Sequence, residues 1–275
     1  MKLRKIKKLF VIIILSCLLF FLLVPLWWAV VLSFDRTSTL ALPDFSIFPH
    51  EFSLFNYQMA GKLLNLGQYY KNTIFITIVN TCVSVFTAIA CGYAFAKGNF
   101  PGKKLWYILF LSVMMLPFEA RMIPLYLQYK SWGLLNTYWP LILGNFAYVY
   151  GIFFARQNIA AIPDSLRESA LLDGASEWGI FFQIILPLSK PIISTLSILQ
   201  IISNWNSYLW PLIVIRSSSR QLISVGVSLF NASQTDIYYG PRMAVAVISA
   251  FPLIILFLFL QKYIVQSIAL SGVKQ

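Results

Sequence analysis

Long uncharged apolar runs constrain this chain more than any other feature. From Leu9 to Phe34 there is no charged side chain at all, and comparable runs recur to the C-terminal end. In hydrocarbon every backbone N–H and C=O must be satisfied within the fold, so runs that each approach the ~20 residues needed to cross ~30 Å are expected to be helices. Hydrophobic residues make up 59% of the chain and charged ones 11%, where a soluble domain carries about a quarter charged. The expected class is an all-α integral membrane protein.

Six spans are expected: Leu9–Phe34, Thr73–Ala96, Leu105–Pro117 continuing brokenly to Leu127, Tyr138–Ala155, Leu188–Leu209 and Met243–Leu260. Pro117, Glu119, Arg121 and Pro124 interrupt the third. The organisation follows as residues 1–70, holding an N-terminal tail, the first helix and an outer loop, and residues 71–275, holding five helices and a polar loop at 156–187 between helices four and five. An even span count puts both termini on one side. The tail 1–8 and segments 97–104, 156–190 and 262–275 hold 13 of the 21 basic residues, so these are assigned to the cytoplasm. The net charge of +12 is then an orientation signal with lipid contact, and no nucleic-acid partner is expected.

The basic start resembles a signal peptide, but its apolar run, at about 25 residues, exceeds the usual 7–15 of a signal core, so a retained first span is expected. Cys17, Cys82 and Cys91 fall inside spans without a CxxC and read as small buried apolar residues. No phosphate-binding loop, nucleophile elbow or metalloprotease motif occurs, and the single histidine, His50, lies in an outer loop. All nine acids (Asp35, Asp44, Glu51, Glu119, Asp164, Glu168, Asp173, Glu177 and Asp236) fall in loops or at span ends. An ion-coupled carrier would place an acid near the midplane. Uphill transport would therefore draw its energy from another subunit, and no cofactor or metal is expected on this chain.

Residues 162–191, IPDSLRESALLDGASEWGIFFQIILPLSKP, hold four of the nine acids. Ser165 and Glu168 fit a capping box that opens a short helix, with Asp164 at its positive end and Pro163 barring helix upstream. Gly174 supplies the left-handed residue that closes it. Ser176 can cap a second short helix running to Pro187. Two turns are marginal in water and need a surface to pack on. Leu166 and Ala170 share a face, and small Ser169 and Ala170 allow close approach by a partner.

The full spacing resembles the EAA motif of permease subunits of ATP-binding-cassette importers: Glu168-Ser169-Ala170, Gly174, Ile184 and Leu186-Pro187, with Ser169 standing for alanine. MLPFEARMIPLYL (115–127), LLNTYWPLIL (134–143), WNSYLWPL (205–212), MAVAVISAFP (243–252) and QKYIVQSIALSGVKQ (261–275) are similar to the carbohydrate-uptake branch, which includes the maltose permease G subunit and its sugar and glycerol-phosphate relatives. The resemblance covers residues 70–275.

It implies that the helix around Leu166 to Asp173 is a coupling helix, with Leu166, Glu168, Ser169, Ala170, Asp173 and Gly174 meeting a cytoplasmic ATPase. It further implies a second six-helix permease subunit, two copies of an ATPase that uses ATP and Mg, and an extracytoplasmic solute-binding protein. The chain itself would have no catalytic residues. Asn204, Trp205, Asn206 and Tyr208 are unusually polar and aromatic for a span end and suit a sugar pathway, while an interfacial belt with helix–helix hydrogen bonds explains Tyr208 and Trp210 equally well. Glu119 and Arg121 are expected to form an interfacial ion pair. Loops 35–71 and 212–242 are expected on the outer face, the first with an amphipathic helix at Leu54–Leu66. A stand-alone channel or ion-coupled carrier is the alternative, disfavoured by the missing midplane acids and internal repeat.

Overall fold

The computed structural model describes residues 2–40, 43–233 and 239–272. Asp236 and residues 273–275 therefore lie outside the described residues, as does the middle of the expected outer loop 212–242. In chain order the helices are α1 (Lys2–Phe34), α2 (Phe55–Leu63), α3 (Leu66–Lys97), α4 (Lys103–Ser112), α5 (Phe118–Ser131), α6 (Trp139–Leu143), α7 (Val149–Ala160), α8 (Asp164–Leu172), α9 (Glu177–Ile180), α10 (Leu186–Leu188), α11 (Lys190–Trp205), α12 (Leu209–Val214), α13 (Ile223–Ser233) and α14 (Tyr239–Gly272). Strand pairing among the described residues is confined to one isolated bridge, Asp35 with Phe52.

Among the described residues, three helical stretches are long and apolar enough to cross a membrane: Lys8–Phe34, Leu66–Lys97 and Tyr239–Leu258. Two bent pairs, Lys103–Met115 with Phe118–Ser131 (102°) and Glu177–Leu188 with Lys190–Trp205 (76°), bring the number to five if each pair is one crossing. The expected fourth span, Tyr138–Ala155, is divided into α6, a 3-10 turn at Gly144–Ala147 and α7. The third breaks at Leu116–Pro117, where Pro117 has no N–H to continue the first helix and instead starts α5. Pro124 lies within α5 without ending it. Helix also extends beyond several expected boundaries, to Lys2 in α1, to Leu66 in α3 and to Tyr239 and Gly272 in α14, because flanking polar residues such as Gln68 and Asn72 cost a helix little once it has nucleated.

The chain divides into two compact units, one of Met1–Leu66 with Gly226–Ile254 and the other of Gly67–Val225 with Ile255–Gln275. The first is organised around Asp35. Its carboxylate accepts from the backbone N–H groups of Thr37 (3.0 Å), His50 (2.8 Å) and Glu51 (3.3 Å) and from the Thr37 hydroxyl (2.7 Å), with the His50 ring Nδ1 at 2.9 Å. Burial disfavours the charged form, but these hydrogen bonds outweigh it and hold the carboxyl well below the usual range. In α2, Asn56 is buried and donates to the carbonyls of Leu32 (3.2 Å) and Asp35 (2.8 Å). A Cβ on Gly240 would stand 2.3 Å from the Asn56 amide nitrogen, so only glycine admits this approach.

Among its described residues the larger unit has two apolar centres. One gathers Val85, Ala88, Ile89, Tyr93 and Phe95 of α3 with Ile152, Ala155 and Ile159 of α7, and Ile180, Phe181, Ile185, Ile192 and Leu196 from the segment after α8. A Cβ on Gly92 would lie 2.6 Å from the Ala155 Cβ and 2.9 Å from the Arg156 nitrogen, so α3 and α7 meet backbone to backbone there, as membrane helices do at small residues. The second centre joins Ile76, Leu141, Val214, Ile215 and Leu222. Cys17 and Cys82 are exposed and Cys91 half-buried. The expectation of buried cysteines fails for the first two, because an apolar residue in a span can face out of the chain as readily as in.

Candidate functional site: a short exposed helix and a polar cavity

The segment 162–191 folds much as its turn chemistry requires, with one change at its start. The capping box does not form: α8 begins at Asp164 after Pro163, two residues early, so Ser165 sits inside the first turn and no side chain caps the helix. The cause is Lys97 at the end of α3. Its ammonium donates to Asp164 Oδ1 (2.6 Å) and to the Ile162 carbonyl (2.6 Å), drawing the chain into helix earlier. This partner also keeps the exposed Asp164 carboxyl below its ordinary range.

The C-terminal end closes as expected. Gly174 has φ +81°, and the Gly174 N–H meets the Leu171 carbonyl at 3.0 Å while the Ala175 N–H reaches back to Ala170 at 2.9 Å. These are the two bonds of a Schellman turn. Ser176 caps the next helix by accepting from the Gly179 N–H at 3.1 Å. That helix continues through a π-turn at Phe181–Ile185 into α10. The wider turn suits Pro187, which has no N–H and whose ring would strike the carbonyl four residues back in an α-helix.

On α8, Leu166, Glu168, Ser169, Leu171 and Leu172 are exposed, as is the capping pair Asp173 and Gly174. Leu172 is 89% exposed, extreme for a leucine on a polar helix. Ala170, one turn on from Leu166 on the same side of the helix, is half-buried and packs with Ala175 and Ile162 on the chain's own core. Of the expected pair, Leu166 is thus the exposed member and Ala170 the seated one. Arg167 forms an ion pair with Glu177, and Glu177 Oε2 also accepts from the Tyr93 hydroxyl at 2.6 Å. Glu177 holds the Arg167 guanidinium above its ordinary range. The apolar spacing gave no sign of this link, which joins residues 84 positions apart.

A cavity of about 600 Å³ opens elsewhere in the same unit, lined by α3, α5, α6 with its following turn, and α11 with the break after it. Its polar lining includes Asn80, Glu119, Arg121, Asn145, Gln200, Ser203, Asn204, Ser207 and Tyr208. The amide nitrogen of Asn80 donates to Asn204 Oδ1 (2.8 Å) and to the Leu141 carbonyl (3.1 Å), and Asn204 donates to the Gln200 carbonyl (2.8 Å). Asn80 Oδ1 and Arg121 Nε are buried without a hydrogen-bond partner among the described residues.

Of the four expected pathway residues, Asn204 and Tyr208 line this cavity. Trp205 does not: it is buried, with its ring 5.9 Å from that of Tyr70. Asn206 is exposed and turns its amide back to the Ile202 carbonyl (3.0 Å). Asn204 and Trp205, consecutive in α11, point about 100° apart, and Asn206 and Tyr208 lie beyond the end of that helix, so the four do not share one face. The same geometry corrects the expected Glu119–Arg121 pair. Two residues apart on α5 they do not face each other, and no ion pair joins them among the described residues, although both line the cavity. Asn80, Asn145 and Gln200 were missed, although an amide within an apolar run is a legible signal.

Residues 84–270 match the family model described as "binding-protein-dependent transport system inner membrane component". The chain belongs to that family. It is 34% identical over 206 residues to the arabinooligosaccharides transport system permease protein AraQ of Halalkalibacterium halodurans, covering 75% of this chain and 74% of that protein. It is also 34% identical to the lactose transport system permease protein LacG of Rhizobium radiobacter, covering 74% of each. Among solved structures, a chain of a bacterial ABC transporter that imports the acidic polysaccharide alginate has the same fold, with a TM-score of 0.82 at 24% identity over 94% of this chain and 96% of that one. Family membership makes this chain a transport component of the inner membrane and bears out the resemblance read from the EAA spacing.

Proposed function

We propose that this permease carries an oligosaccharide or related polyol across the membrane as one half of a two-permease pathway. α8 is its coupling helix and the cavity beside Asn80 and Asn204 is part of the solute route. Six crossings result if each bent pair is one span and residues 139–160 are another. Both termini and α8 then face the cytoplasm. Two copies of a separate ATPase use ATP and Mg, a binding protein delivers solute from outside, and this chain performs no chemistry.

The observation carrying this reading is α8 itself. A nine-residue helix is too short to be stable alone, yet it is held at both ends and presents Glu168, Ser169 and bare Leu172 to the surroundings. Such an arrangement exposes a rigid apolar and acidic knob of the kind that seats in a protein cleft. Leu166, Glu168, Ser169, Asp173 and Gly174 form or frame that surface, while Ala170 seats it on the permease. In the cavity, Asn204, Tyr208 and the amides of Asn80 and Gln200 offer the mixed donors and apolar faces that sugar hydroxyls and rings require.

The test is co-purification of the ATPase with the permease, followed by uptake of arabinotriose and lactose into proteoliposomes with the binding protein present. Glu168→Lys and Leu172→Asp are expected to release the ATPase and abolish uptake while the permease still inserts. Retained ATPase and unchanged uptake in both variants would remove the coupling-helix assignment.

A further inference from the structure

Tyr93 and Lys97 are four residues apart near the end of α3, which places them on one face of that helix. Both hold the α8 segment, and at different points. Lys97, whose side chain is 7% exposed, binds Asp164 and the Ile162 carbonyl at the start of α8. The Tyr93 hydroxyl binds Glu177, which is paired with Arg167 in the body of α8. A single contact would leave α8 free to pivot. Two contacts one turn apart, with Ala170 and Ala175 packed on the core between them, fix both its position and its direction.

α3 is one helix from Leu66 to Lys97. Thirteen residues from Tyr93, about 20 Å along the axis at 1.5 Å per residue, the same helix brings Ile76 and Asn80 to the cavity wall, where Asn80 is bonded to Asn204 of α11. A displacement of α8 is thus delivered to the end of a rod whose other contacts line the cavity. We propose that Tyr93 and Lys97 are positioning residues that clamp α8 to α3 and transmit its movement to the cavity. α8 is also joined through the chain itself, to α7 at its start and through Gly174, α9 and α10 to α11 at its end; the contact of α7 with α3 at Gly92 and Ala155 is apolar and non-directional, so Tyr93 and Lys97 are the directional links between α8 and α3.

This proposal rests on α8 being the surface that meets the ATPase, and the experiment separates the two ideas. The assembled complex with its ATPase and binding protein is prepared with Tyr93→Phe, Lys97→Met and the two together. Uptake of arabinotriose or lactose, whichever the unaltered complex carries faster, is measured against ATP hydrolysed. The double variant is expected to keep its ATPase and hydrolyse ATP within about twofold of normal while uptake per ATP falls at least about tenfold. Lys97→Arg, which preserves the charged donor, is expected to restore most of the ratio.

Hydrogen–deuterium exchange supplies a readout that needs no solute. In the unaltered complex, trapping the ATPase with vanadate is expected to alter exchange in residues 164–174 and 88–97 together, and in the double variant in 164–174 alone. Unchanged uptake per ATP, or joint exchange changes persisting in the double variant, overturns the clamp. Loss of the ATPase from the double variant also overturns it, since Tyr93 and Lys97 would then only maintain the docking surface. Failure of Glu168→Lys and Leu172→Asp to release the ATPase defeats the reading of α8 itself.

Discussion

The side-chain amide of Asn80 donates to Asn204 across 2.8 Å, tying α3 to α11 at the wall of the cavity. Both residues are buried. Removing either leaves the other with an unmet polar atom, which costs about 1–3 kcal/mol for a buried group. Asn204→Ala is therefore expected to lower the melting temperature of the purified permease, and Asn80→Leu with Asn204→Ala to recover part of that loss. Thermal unfolding of the two single variants and the double gives the coupling between them; strictly additive losses would contradict a direct bond.

Gly174 is predicted to tolerate asparagine and to reject valine. Its φ of +81° lies where a side chain costs about 1–2 kcal/mol, less for asparagine. Gly174→Asn should keep most uptake and Gly174→Val should lose it with the protein still inserted, as uptake assays and membrane abundance together would report. Equal uptake by the two variants would show that the Schellman turn does not govern α8.

Gly92→Val should fail to assemble, because even a Cβ would stand 2.6 Å from the Ala155 Cβ. Gly92→Ala with Ala155→Gly is expected to recover part of the folded yield of Gly92→Ala alone. Recovery is incomplete because the Arg156 backbone nitrogen, 2.9 Å from the same point, cannot be trimmed. The yield of monodisperse protein on size-exclusion chromatography measures both effects.

Asp35 predicts a pH dependence of the loop it organises. Its carboxyl is held below the ordinary range, so the folded state binds its proton less readily than the unfolded chain does. The stability it contributes is fully present above the unfolded value of about 3.9 and is lost only as pH falls through the lower folded value. Amide protection at His50 and Glu51, corrected for intrinsic exchange, should hold steady from neutral pH down to about 4. Asp35→Asn should reduce it at every pH, and a loss in the unaltered protein beginning well above about pH 4 would contradict the assignment to Asp35.

Much of this architecture was legible in the sequence because a bilayer leaves little choice: Leu9–Phe34 and Thr73–Ala96 could hardly be anything but helix. The loop at 162–191 was legible for a different reason: Gly174 alone enters the left-handed region without strain, the Ser176 hydroxyl can accept from a free helix N–H, and Pro187 lacks the N–H that would continue an α-helix. What could not be read were contacts between distant residues. Nothing local signals that Lys97 would meet Asp164 and move the cap of α8 from Ser165 back to Pro163, or that Tyr93 would find Glu177. The cavity was half visible: Asn204 and Tyr208 were recognised by their polarity, but Trp205 and Asn206 were grouped with them by adjacency, which a helix does not respect. Asn80, alone in an apolar run, carried the clearest overlooked signal.

The π-turn at Phe181–Ile185 accommodates one more residue than an α-helical turn would hold. α10, which continues it without a break, is consequently turned about its axis by about 100° relative to an uninterrupted α-helix. The surplus residue therefore sets the direction in which the 76° bend after Leu188 sends α11. Deleting one position from that turn would redirect α11 and displace Gln200 and Asn204 from the cavity, with the greasy length of the span unaltered. A single codon inserted or lost at a turn that does not line the cavity thus reshapes the cavity's wall.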